Sequence, residues 1–188
     1  MSVLRAAAVA AFFLTLLASQ AVGANQDVGI EQLRKAAKQG KAAAQYNLGV
    51  AYAQGSDVPR DKEQAAQWYR KAAEQGHAKA QYRLGVMYSQ GQGISQDQEQ
   101  AAKWFRKAAT KGIIKAQYNA GLNYLHGQNV ERDCGQAEHW FRKAAEQGHG
   151  KAQYELGLMY RQGQGVKQNY EQAAKWLREA AEQVHAKA

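Results

Sequence analysis

The sequence predicts an all-α protein, an α/α superhelical solenoid of stacked helix pairs. Three observations predict it: a gapless 36-residue repetition, apolar residues at helical spacing within each copy, and glycines recurring where helices should end. Trp68, Trp104, Trp140 and Trp176 are all the tryptophans of the chain, and they stand 36 residues apart. Gly49, Gly85, Gly121 and Gly157 keep that spacing, as do Tyr46, Tyr82, Tyr118 and Tyr154. A period of about 20–50 residues marks a supersecondary unit that cannot bury its own apolar face and must stack. The chain is expected to divide into a signal peptide (1–24) and a solenoid (25–188). The solenoid holds a half repeat (30–41) and four full repeats: 42–77, 78–113, 114–149 and 150–185.

Arg5 precedes an uncharged run, Ala6 to Leu17, and then Val22-Gly23-Ala24, a small-x-small cleavage pattern. That is the order of a secretory signal peptide, and a dozen apolar residues fall short of the roughly 20 that span a bilayer. The expectation is a mature chain starting near Asn25, periplasmic or secreted, with no membrane insertion after cleavage. No Cys near the cleavage region offers a lipid anchor.

Within a copy, Ala44, Leu48 and Tyr52 stand at i, i+4 and i+8, which places them on one face of a first helix. Gly49 lies inside that helix, where Gly costs up to about 1 kcal/mol relative to Ala. Its recurrence predicts a neighbouring helix too close to admit a side chain. Gly55 is placed to cap the helix. Asp61, Asp97, Asp133 and Asn169 are placed as N-caps of the second helices, whose apolar face is Ala65, Tyr69, Ala72 and Ala73. Gly76, Gly112 and Gly148 end them. The third copy departs most, with Ala120 at a Leu position, Asn129 at a Gly position, Glu138 at an Ala position, and Gly135 in the first turn of its second helix.

Segments such as AKAQYRLGVMYSQGQG and DQEQAAKWFRKAATKG resemble the Sel1-like repeat, a relative of the tetratricopeptide repeat. Both halves of the motif are present, A-x-x-x-L-G-x-x-Y-x-x-G and A-x-x-W-[YF]-x-x-A-A-x-x-G, and the resemblance runs from Ile30 to the C-terminus. It implies a bacterial protein-binding scaffold or adaptor, often exported, in a periplasmic complex or in host interaction. One cysteine-rich exported branch is associated with penicillin binding and β-lactam hydrolysis, so the alternative is a hydrolase acting on β-lactam or cell-wall substrates. That branch carries paired cysteines, whereas this chain has only Cys134.

The residues themselves supply no catalytic constellation, metal site or cofactor motif. His77, His149 and His185 share one repeat position and are explained by duplication. His126, Cys134 and His139 match no compact zinc spacing, and Cys134 and His139 lie about 140° apart around a helix. The Gly-x-Gly pairs at Gly91-Gly93 and Gly163-Gly165 follow no strand and read as turns.

Net charge is +9, or +8 without Arg5, which suits acidic partners. Much of it falls on second helices beside acids at i+4: Arg70 with Glu74, Arg142 with Glu146, Arg178 with Glu182, Glu99 with Lys103, and Glu171 with Lys175. Such pairs contribute about 0.2–0.5 kcal/mol each. Nucleic acid is not expected, since a binding groove wants basic residues interleaved with exposed aromatics, and the aromatics here occupy core positions.

A protein or peptide partner is expected on the concave face, lined by first helices. Two rows vary between copies while the core repeats. One is Asn47, Arg83, Asn119 and Glu155; the other is Ala51, Met87, Asn123 and Met159, whose thioethers offer adaptable surface. The last helix carries Leu177, Ala180, Ala181 and Val184 with only Ala186-Lys187-Ala188 after it, so self-association through that helix is also expected.

Overall fold

The computed structural model describes residues 29–185. The signal peptide read at residues 1–24 and the start of a fifth copy at 186–188 lie outside the described residues. Helix α1 covers 29–38. After it come α2 (Ala42–Gln54), α3 (Lys62–Glu74), α4 (Ala78–Gln90) and α5 (Gln98–Thr110). Then follow α6 (Ile114–His126), α7 (Cys134–Ala145), α8 (Gly150–Gln162) and α9 (Tyr170–His185). No strand is present among the described residues. From α2 onward each helix packs on the next in the chain, so α2/α3, α4/α5, α6/α7 and α8/α9 form four pairs stacked in order, and Ile30 and Ala37 of α1 share a core cluster with Ala44 and Leu48 of α2.

The ends of these helices are set by the residues the repetition singles out. Gly55, Gly91, Gly127 and Gly163 take left-handed backbone with φ between 64° and 77°, and each N–H closes on a first-helix carbonyl. At the second helices, Asp61 Oδ1 accepts from Glu63 and Gln64 N–H at 2.9 Å. Asp97, Asp133 and Asn169 each accept one N–H at 2.9 Å. Their own N–H groups donate back to Tyr52, Tyr88, Tyr124 and Tyr160 carbonyls, which ties each loop to the helix before it.

The core is built of alanines that let helices approach and larger side chains that fill the gaps. Leu48, Leu84 and Leu156 are fully buried, and so is Phe141. The first-helix glycines sit where expected. A Cβ on Gly49 would lie 2.7 Å from the Tyr69 ring, and one on Gly85 would lie 2.8 Å from Phe105. A ladder of buried glutamines runs through the same junctions. Gln45, Gln81, Gln117 and Gln153 donate to the carbonyls of Ala37, Ala73, Ala109 and Ala145 at 3.1–3.4 Å. Each bond ties a first helix to the second helix of the preceding unit, and a buried amide without it would cost about 1–3 kcal/mol.

Candidate functional site: the first-helix groove

The row Asn47, Arg83, Asn119 and Glu155 occupies the position just before the core residue of each first helix, about 100° around the axis from it. Asn47 and Arg83 are exposed, and Asn119 and Glu155 are half-buried. Beside them runs the tyrosine row. Tyr46 stacks on His77 with ring centroids 4.6 Å apart, and Tyr118 meets His149 at 4.8 Å. The tyrosines also lean on second-helix aromatics, Tyr46 on Tyr69 and Tyr118 on Phe141, both at 5.8 Å. At the C-terminal end this surface opens into a groove of about 1070 Å³ lined by Tyr118, His149, Lys151, Tyr154, Glu155 and Leu177 among others. At the N-terminal end Asn47 borders a smaller groove of about 440 Å³ beside Ile30, Leu33 and Val50.

The second row is corrected. Met87 is 6% exposed and Met159 1%, both inside core clusters with Leu84 and Leu156, and Ala51 is buried with them. Each methionine lies three residues after its core leucine, within about 60° of it around the helix, so it shares the core-facing side. Only Asn123 of that row keeps part of its surface. The candidate surface is therefore the first row with its flanking tyrosines.

The electrostatics of this surface are mixed. Burial raises the Glu155 carboxyl above its ordinary value, and the nearby His126 draws it partly back. Burial, and then the Glu155 charge, raises the Tyr118 phenol. Tyr69 beneath the row is pushed up to about 12 by burial, against the pull of Arg83. Amide, guanidinium, carboxylate and phenol groups alternate along the row, which suits hydrogen bonding to an extended or helical segment. Among the described residues no group of three His, Cys, Asp or Glu could hold a metal ion. Cys134 is a free thiol packed against the cluster containing Phe141 and Leu156. His139 meets Trp140 edge-on at 5.2 Å.

Four features escaped the sequence reading. His77 and His149 are N-caps, each Nδ1 accepting an N–H at 3.2 Å, from Ala80 and Ala152. Lys71, Lys107, Lys143 and Lys175 lie over the Trp68, Trp104, Trp140 and Trp176 rings at 4.2–5.3 Å. Arg70 and Arg142 donate to the hydroxyls of Tyr88 and Tyr160 in the next repeat. Arg142 also pairs with Glu138, the departure at an Ala position, and not with Glu146. Of the ion pairs expected, Glu99–Lys103 forms at 2.6 Å. The fourth is the glutamine ladder. The glutamines and Lys71, Lys107 and Lys143 recur at the 36-residue period, His77 with His149 and Arg70 with Arg142 at twice it, and Lys175 stands outside it, so recurrence was the signal available for most of these.

Stacked two-helix units with glycine-capped first helices define an α/α repeat solenoid. The Sel1 repeat model matches residues 42–77, 78–113, 114–149 and 150–185, and the chain belongs to the Sel1 repeat family. Among solved structures it is similar to c5321, a protective antigen of uropathogenic Escherichia coli with an SLR fold. That match has 45% identity and a TM-score of 0.75 over 81% of this chain and 33% of that one. It is similar also to a Sel1 repeat protein from Oxalobacter formigenes, at 42% identity and TM-score 0.73 over 80% of this chain and 43% of that one. The chain thus spans a third to two fifths of the length of these two. Cysteine-rich protein B of Helicobacter pylori shares the fold, at 23% identity and TM-score 0.52, over 70% of this chain and 94% of that one. Comparison with curated proteins gave no match.

Proposed function

We propose that this chain is an exported scaffold, periplasmic or secreted, that holds a protein or peptide segment along its first-helix groove. The observation that carries the reading is the row at positions 47, 83, 119 and 155. It changes from Asn to Arg to Asn to Glu, while the residue after it stays in the core as Leu48, Leu84, Ala120 and Leu156. At these two adjacent positions the core side chain is largely repeated while its more exposed neighbour is not. That is the distribution expected of a recognition surface on a fixed frame. The order at the N-terminus supports export, and likeness to a protein named as a protective antigen suits a host-facing role.

The test is crosslinking capture from periplasmic extract and from host secretions, with the native protein and an Asn47→Glu/Arg83→Glu variant. Both positions are exposed, so helicity is expected to stay unchanged. A partner held by the native protein and lost by the variant supports the groove. A partner retained equally by both would sink the assignment of this row.

A further inference from the structure

The junction between the second and third copies differs from its neighbours. Gly93 and Gly165 bring their loops against the start of the second helix one copy back. A Cβ on them would lie 2.2 Å from the Lys62 carbonyl oxygen and 2.4 Å from that of Cys134. The third copy has Asn129 at this position, with φ 58°. Because Asn129 carries a Cβ, its loop stands off from α5, and a polar groove of about 960 Å³ opens there. Arg106 of α5 and Tyr124 of α6 line it, together with Asn129, Glu131, Arg132 and Asp133 of the loop.

The wider junction leaves hydrogen-bonding groups unengaged. Arg70 and Arg142 direct their guanidiniums to the Tyr88 and Tyr160 hydroxyls of the next copy. Arg106 and Tyr124 are the matching pair, and no such bond joins them among the described residues. Arg106 is exposed and stands in no ion pair among the described residues. Arg132 donates its Nε–H to the Leu125 carbonyl at 3.1 Å, which orients the guanidinium and leaves its two terminal NH2 groups for another acceptor. Asp133 Oδ1 is engaged in capping α7, where it accepts the Gln136 N–H at 2.9 Å.

We propose that this groove binds an acidic peptide segment through a side-chain carboxylate, with Arg106 and Arg132 as its donors. A guanidinium presents parallel N–H groups that match the planar carboxylate, and such charge-assisted bonds are stronger than neutral ones. The Tyr124 hydroxyl and the Asn129 amide add neutral groups for the peptide backbone. The charge balance selects the class of ligand. Two guanidiniums share the lining with two carboxylates, Glu131 and Asp133, so a singly charged carboxylate is accepted where a phosphate dianion or a sulfated chain is disfavoured. A groove of this volume also exceeds what a small acid would fill, which favours a segment of chain. None of Asn47, Arg83, Asn119 and Glu155 lines it, so the site is separate from the first-helix row and does not rest on that reading.

The experiment is an amide NMR titration of the isotopically labelled protein with the blocked peptide acetyl-Ala-Glu-Ala-amide, with its Gln counterpart, and with inorganic phosphate. The Glu peptide should shift the amides of residues 129–136 saturably, and the Gln peptide should leave them in place. Arg106→Gln and Arg132→Gln should each raise the dissociation constant roughly three- to tenfold, while Arg83→Glu should not change it. Both arginines are exposed, so the rest of the amide spectrum should stay native in either variant. The proposal is overturned by the absence of a saturable shift at the loop, by an equal response to the Gln peptide, or by indifference to both Arg→Gln changes. A stronger response to phosphate than to the Glu peptide would overturn it as well, and none of these results touches the first-helix reading.

Discussion

At the scale of single residues, the glutamine ladder shows what one departure from the repeat does. Gln75 donates to Gln45 Oε1 at 2.6 Å, and Gln147 donates to Gln117 Oε1 at 2.8 Å. The position between them in the repeat is Lys111, and the buried Gln81 Oε1 that it should serve has no hydrogen-bond partner among the protein atoms. Lys111→Gln is expected to supply the missing donor and stabilise the fold by about 0.5–1.5 kcal/mol. That is a rise in Tm of roughly 2–4 °C per kcal/mol for a chain of this size. A melting temperature unchanged or lowered would contradict the ladder as described. His77 makes the second residue-scale case. Its Nδ1 accepts the Ala80 N–H, which requires that nitrogen to be unprotonated. Burial, and then Lys79, hold its pKa below the ordinary 6.5. A depressed folded pKa means that the unfolded chain takes up the proton first as pH falls. The stabilisation is therefore present above about pH 6.5 and lost as pH falls through the folded value. Urea denaturation at pH 7.5 and 5.0 should show a smaller pH-dependent loss for His77→Asn, a cap that does not titrate, than for the native chain. Equal losses would show that His77 is not a source of the slope.

At the scale of elements, the turn joining the two helices of a pair is where the copies differ physically. Gly93 has φ 66°, and a Cβ there would lie 2.2 Å from the Lys62 carbonyl oxygen at the start of the preceding second helix. Gly165 stands in the same way to Cys134, at 2.4 Å. The other two copies place Asp57 and Asn129 there, also at positive φ. Asn129 lines an open polar groove with Arg106, Tyr124 and Arg132. Gly93→Ala adds a backbone collision to a left-handed strain of about 1–2 kcal/mol, so a loss of several kcal/mol is expected. Asn129→Ala should lose only about 1 kcal/mol, because that junction already accommodates a side chain. Chemical denaturation of the two variants checks this, and comparable losses would show that the Gly93 approach has no energetic consequence. The helix layout, the glycine and Asp/Asn caps and the close glycine contacts were legible in the sequence, because each is a local rule repeated four times. The burial of Met87 and Met159 was not read, since a variable position three residues from a core leucine looks like surface until its angle is counted. The Arg–Tyr contacts join residues 18 apart in different repeats. Nothing in the pattern of a single copy announces them.

At the scale of the whole molecule, contacts concentrate between helices adjacent in the chain, so stability is close to a sum over units and their junctions. Among the described residues, α4/α5 packs against α3 on one side and α6 on the other, whereas α8/α9 packs chiefly against α7, and Ala181 and Tyr154 are exposed. The free energy of local opening is therefore expected to be lower at α8/α9 than at α4 and α5. Amide hydrogen exchange at low protein concentration is expected to show α9 exchanging by local opening well before α5, though both are long, amphipathic and N-capped by the same rule. Uniform protection from α4 to α9 would mean that the array unfolds as one cooperative unit, and the neighbour-only account would fail.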